Sequence, residues 1–167
     1  ASVIALDHLN LSVYDANIRT SEGDALCFNT YVVLNEDRQP ISGDREPLVE
    51  LLAKQIDNPN IAVTKRRVPR QQKQLSRPTQ VRLENRAADN FSTLTIHTAD
   101  RPGLLARIGL LFHELGVRVL GARITTLGER VEDVFYVQDQ AGEPIQDRED
   151  GYLLENTLRQ QLDTLVA

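Results

Sequence analysis

The chain has 167 residues, a formal net charge of −5 and 41% hydrophobic residues, enough apolar material for one domain or two small ones. The acidic balance gives no overall pull toward nucleic acid or an anionic membrane, and no apolar run approaches the roughly 20 residues that span a bilayer. The single cysteine, Cys27, cannot close an internal disulfide, and no signal-peptide pattern opens the chain, so a soluble cytoplasmic protein is expected.

From the N-terminus, Ser2 to Leu9 reads as the end of a helix. Leu9 to Thr20 then reads as a strand whose apolar phase changes: Val13 has one parity, Ala16 and Ile18 the other, which is the mark of a β-bulge. Thr30 to Val33 is a further strand, and Ile61 to Thr64 is a plausible fourth strand of the same unit. Lys65, Arg66, Arg67, Arg70, Lys73 and Arg77 follow in a stretch without an acidic residue. With Pro69, many glutamines and no aromatic residue, it reads as a solvated linker, docking onto an acidic partner domain being the sharper alternative.

Thr79 to Leu83 is a short alternating run, and Phe91 to Ala99 a longer one. The run Asp100-Arg101-Pro102-Gly103-Leu104-Leu105-Ala106 closes that strand and opens an amphipathic helix, with Leu104, Leu105, Ile108, Leu111, Phe112 and Leu115 at helical spacing. A turn of this kind builds a small-ligand pocket from backbone groups. Pro102 lacks the N–H that a first helical turn leaves unpaired, Gly103 permits close approach, and Asp100 can cap free N–H groups. Gly116 is placed to end the helix in a left-handed cap. A second strand, Val117 to Thr126, changes phase near Gly121; Leu127 to Arg130 turn into a third, Val131 to Gln138, and Gly142 marks a loop. A second helix is expected over about Gly151 to Leu165, with Leu154, Leu158, Leu162 and Leu165 on one stripe. Strand-helix-strand-strand-helix predicts an α+β fold with an antiparallel sheet and both helices on one face, the ferredoxin-like βαββαβ layout.

The chain also repeats itself. Leu9 to Thr20 runs parallel to Leu115 to Thr126 at an offset of 122 − 16 = 106, Ala16 matching Ala122 outright. After a two-residue slip, Thr30 to Val33 faces Val134 to Val137, and Pro40-Ile41 faces Pro144-Ile145 at an offset of 144 − 40 = 104. Two tandem units follow, 1–68 and 79–167, joined by a basic linker over 69–78. The first unit's counterpart of the Asp100 turn would fall before Ala1, so this unit is expected to lack its first strand and most of its first helix, as part of a longer polypeptide. Residues 79–83 are expected to pair at the vacant sheet edge of the second unit.

Thr95 to Ala106, containing D-R-P-G-L-L, resembles the opening of an ACT domain, the amino-acid-sensing βαββαβ module. With the hairpin T-L-G-E-R-V-E-D-V-F from Thr126 to Phe135 and a tandem partner, the resemblance narrows to the C-terminal tandem ACT region of the bifunctional uridylyltransferase/uridylyl-removing enzymes, and it covers essentially the whole chain. The nucleotidyltransferase and HD hydrolase domains of such enzymes are not within this sequence. The resemblance implies a regulatory region that binds glutamine, or another free amino acid, and controls catalytic domains acting on the PII nitrogen-signalling protein. It implies no cofactor for the region itself, Mg for the absent catalytic domains, contact with those domains and a possible ACT–ACT dimer.

On that footing the N–H groups of Gly103, Leu104 and Leu105 suit the ligand carboxylate, and Asp100 or nearby strand carbonyls the ammonium. Arg101 and Pro102 complete the turn. The opposite wall is expected near Gly121, Ala122 and Arg123, or near Asp15, Ala16 and Asn17 of the first unit. The bland alternative is a well-made turn that binds nothing.

Catalytic and metal constellations are not expected. His8, His97 and His113 are scattered, Glu132 and Asp133 point to opposite faces of a strand, and Asp147, Glu149 and Asp150 sit where a helix N-terminus favours acids. There is no G-x-x-x-x-G-K-[ST] loop and no cysteine pair for zinc. Two rivals remain. An ACT regulatory or oligomerisation domain of another enzyme would take a different amino acid. An RRM-like RNA-binding module shares the strand order, but needs alternating aromatics where Phe135 and Tyr136 are adjacent.

Overall fold

In a computed structural model that describes residues 2–21, 26–58, 78–145 and 148–164, the alternating runs become six strands of one antiparallel sheet. In chain order these are β1 (Ser12–Thr20), β2 (Cys27–Leu34), β3 (Gln80–Asn85), β4 (Ser92–Ala99), β5 (Arg118–Leu127) and β6 (Arg130–Gln138). The helices are α1 (Ser2–His8), α2 (Glu46–Ile56), α3 (Leu104–Glu114) and α4 (Arg148–Thr164). Across the sheet the order is β2-β1-β5-β6-β4-β3. Ile61 to Thr64, the basic cluster Lys65 to Arg77, Asp147 and Leu165 lie outside the described residues.

The α+β, ferredoxin-like reading is borne out in the second unit. Leu94 and Ile96 of β4, Ile124 of β5 and Phe135 and Val137 of β6 point to one face, where Leu104, Ile108, Leu111 and Phe112 of α3 and Leu154, Leu158 and Leu162 of α4 bury against them. Leu94, Ile96, Ile108, Leu158 and Leu162 have no exposed surface, each worth about 1.5–3 kcal/mol of apolar burial. Phe112 and Phe135 meet edge to face at 5.0 Å. Gly116, at φ 68°, ends α3 as expected, and Asn10, its counterpart in the repeat, takes φ 59° after α1.

Both bulges are present. The register of β1 against β2 slips between Val13 and Asp15, and that of β5 against β6 between Val119 and Gly121. β3 pairs antiparallel with β4 from Gln80↔His97 to Asn85↔Ser92 and fills the sheet edge expected for it. Thr79 fixes that strand: its N–H donates to Asp163 Oδ1 at 3.0 Å, and its hydroxyl lies 2.8 Å from that of Thr98.

Two elements depart from expectation. α4 begins at Arg148 instead of Gly151, because the acids Glu149 and Asp150 form its first turn and Gly151 lies inside it. A Cβ at Gly151 would stand 3.0 Å from Leu83 Cδ2, so the glycine is what lets α4 close on β3. α2 has no counterpart among the expected elements. It buries no residue, and Val49, Leu51 and Ile56 remain exposed, although Leu48, Leu52 and Ile56 recur at helical spacing in its sequence.

Candidate functional site: a carboxylate-lined cavity between the two units

β4 ends at Ala99, and the chain turns through Asp100 to Gly103 into α3. The turn is pinned from three sides. The Asp100 N–H donates to the Glu129 carbonyl at 2.9 Å, tying it to the β5–β6 hairpin, and the Leu104 N–H donates to the Arg101 carbonyl at 3.2 Å. The Arg101 guanidinium, buried, donates to the Leu162 carbonyl at 2.8 Å and to Thr98 Oγ1 at 3.1 Å. Burial pulls that guanidinium below the ordinary arginine value, while Asp163 opposes the shift.

Two expectations for this turn are corrected. The N-cap of α3 is Gly103 in the left-handed region at φ 75°, with no side-chain cap, so Asp100 does not cap the helix and Pro102 precedes it instead of sitting in its first turn. Asp100 instead pairs with Arg38 at 2.7 Å, an arginine from the segment after β2. Burial raises its carboxyl above the usual range; the charge of Arg38 and hydrogen bonds from the Arg101 backbone and Arg38 work against this.

The turn covers a cavity of about 50 Å³. Its second-unit wall is Asp100 to Ala106 with Ile124, Val131 and Asp133; its first-unit wall is Val3 and Asp7 of α1 with Leu11, Ser12 and Val13 at the start of β1. The wall opposite the turn thus comes from the first unit, but some residues earlier than expected. Asp15, Ala16 and Asn17 pair with Thr125, Ile124 and Arg123 along the β1–β5 seam, and only the N-terminal end of β1 lies beside the ends of β4 and β5 and the start of β6. Gly121, Ala122 and Arg123 are not at this cavity. They line a separate, open concavity of about 720 Å³ with Asn17, Arg19 and Tyr136.

Two carboxylates not expected at the site line this cavity. Asp7, 4% exposed, reaches under the turn, where a Cβ at Gly103 would lie 3.4 Å from its Oδ1. It holds the position at the N-terminus of α3 that was expected for a ligand carboxylate. Asp133 is 1% exposed on the helix-facing side of β6, and its Oδ1 has no hydrogen-bond partner among the described residues. Burial pushes its carboxyl up to about 7, against a hydrogen bond from the Thr125 backbone and with a further push from Asp100. The alternation of β6 places Asp133 on the core face between Val131 and Phe135, a polar residue in an apolar register, which is the signal that could have found it.

No group of three or more histidine, cysteine, aspartate or glutamate residues among the described residues is disposed to hold a metal ion. Nor is any described helix long and apolar enough to cross a membrane. His97 stands 4.0 Å from Glu132, and Cys27 is an exposed thiol at the start of β2.

Compared with known proteins, the chain is 42% identical, across 87% of its length, to a bifunctional uridylyltransferase/uridylyl-removing enzyme of Stutzerimonas stutzeri. It is 41% identical across 96% of its length to proteins of the same name from Azotobacter vinelandii and Pseudomonas aeruginosa. The chain spans only 17–18% of the length of these relatives. No family model and no solved structure matches it.

Proposed function

We propose that this chain, a homologue of one segment of the bifunctional uridylyltransferase/uridylyl-removing enzymes, is their glutamine-sensing region, built of two ACT units over about 1–68 and 79–167. The region is not itself catalytic. It binds free glutamine at the Asp100–Leu105 turn and controls catalytic domains, Mg-dependent in the parent enzyme, that attach uridylyl groups to the PII protein and remove them.

One observation carries this reading: the cavity under the turn is walled by both units, α1 and β1 on one side and the turn with β5 and β6 on the other. A ligand at a junction changes the free energy of holding the two sides together, which is the differential affinity that control of distant chemistry requires. At about 50 Å³ the cavity admits a head group and not a whole amino acid, far below the roughly 300 Å³ at which ligand pockets begin. Occupation by glutamine therefore requires α1 and the turn to part, and this movement is the signal.

A thermal-shift screen of the free amino acids tests the reading. Selective stabilisation by glutamine is the expected outcome. Selective stabilisation by another amino acid would point to an effector domain of different specificity, and a response to RNA alone would replace the reading altogether.

A further inference from the structure

Resting on the reading that this cavity takes a free amino acid, we propose that Asp133 is the residue that receives the ligand's ammonium group, so that the site selects for a protonated primary amine. The carboxylate is almost fully buried, its Oδ1 has no partner among the described residues, and it lines the cavity. An unpaired buried carboxylate is expensive, and a cation within hydrogen-bond reach removes the cost. The cations around the cavity do not serve it: Arg38, from the segment after β2, is engaged by Asp100, and Arg101 of the turn points to Leu162 and Thr98.

The size of the space matches. About 50 Å³ accommodates a group the size of water or ammonium. A metal ion is not the better occupant, because the described acids are not grouped to hold one. The lining also redirects the ligand. With Asp7, Asp100 and Asp133 all in its lining, the cavity is acidic, so the amine takes this space and the ligand carboxylate and amide lie outside it.

Burial, and after it the charge of Asp100, push the carboxyl of Asp133 up to about 7 against a hydrogen bond from the Thr125 backbone. Asp7 from α1 and Asp100 with its partner Arg38 are the charged groups facing it; Glu132 lies on the other side of β6. An arriving ammonium favours the ionised form, so binding releases a proton below about pH 7 and tightens as the pH rises through that value.

Calorimetry on the chain with glutamine, γ-aminobutyramide (glutamine without its carboxylate) and glutaramic acid (glutamine without its amine) tests this. Glutamine and γ-aminobutyramide are expected to bind and glutaramic acid is not. At pH 6.5 the binding enthalpy should vary with buffer ionisation enthalpy, reporting a released proton. Asp133→Asn should weaken both amines about tenfold or more and abolish the buffer dependence. Should the variant melt early, the buffer dependence of the unaltered chain still decides. Glutaramic acid binding as tightly as glutamine, or amine binding without proton release, overturns the role of Asp133 and leaves the pocket standing. Binding of γ-aminobutyramide without glutamine supports Asp133 and removes the glutamine reading.

Discussion

Asn17 and Arg123 stand directly opposite each other where β1 pairs with β5, and each is the other's counterpart in the repeat, 123 − 17 = 106. The flanking pairs exchange in the same way: Ala16 faces Ile124 and Ile18 faces Ala122. The two units are thus joined strand to strand about a local twofold at this pair, and their sheets run on as one. That symmetry sends the N-terminal end of β1 to the Asp100 turn and places Arg123 at the middle of the seam and Gly121 at its far end, opposite Arg19.

Gly103 is the most sensitive backbone position of the cavity. At φ 75° any side chain pays a left-handed penalty, and a Cβ comes within 3.4 Å of the Asp7 carboxylate. Gly103→Val should cost about 1–2 kcal/mol of stability and weaken glutamine binding more than that loss of fold explains. Melting curves alongside calorimetry check this, and unchanged glutamine affinity would remove the turn from the site.

Gly121 should behave differently, although both glycines looked like pocket residues. A Cβ there meets the Ile18 carbonyl at 3.1 Å and Tyr136 Cδ2 at 3.2 Å, so Gly121→Ala should strain the seam by about 1–3 kcal/mol. Affinity for glutamine, measured well below the melting temperature, should stay within about twofold of the parent chain.

Arg101 supports the turn through its buried guanidinium. Removing its guanidinium leaves the Leu162 carbonyl without its buried side-chain donor and Thr98 Oγ1 with only the Thr79 hydroxyl, and Arg101→Ala should cost about 2–3 kcal/mol in urea unfolding. Lysine should not restore it, because a single ammonium cannot reproduce the forked pair of bonds.

Stability should fall as pH rises from about 4 to 7. An aspartate in the unfolded chain loses its proton near 3.9, whereas folded Asp133 keeps its proton up to about 7, so the native state binds more protons throughout that interval. Its contribution is complete below about pH 4 and gone above pH 7, on the order of 4 kcal/mol in all. Asp100, raised in the same direction, adds to the slope. Urea midpoints at pH 5 and pH 8 measure it, and Asp133→Asn should flatten the difference; an equal slope in the variant would assign it elsewhere.

Much of the architecture was legible because each element buries a stripe. The period of α3, the alternation of β4 and β6, and the two bulges at repeat-equivalent positions all follow from which residues must leave water. α2 was missed although Leu48, Leu52 and Ile56 recur at helical spacing and Pro47 stands in its first turn; its apolar side stays largely exposed and adds nothing to the core the other elements share. The turn at Asp100 could be found from its residue types, but not its partners. Arg38, Asp7 and Asp133 reach it from three other elements, and no local spacing encodes a contact made across the sheet. Asp133 alone left a trace, as a charge in an apolar register.

The most direct test of a ligand site shared between the units is an amide-resolved NMR titration of the chain with glutamine. The amides of Gly103 and Leu104 should shift together with those of Leu11, Ser12 and Val13, along one saturation curve. Shifts confined to Gly121–Arg123 on the open concavity, or no shift at either wall of the cavity, would contradict it.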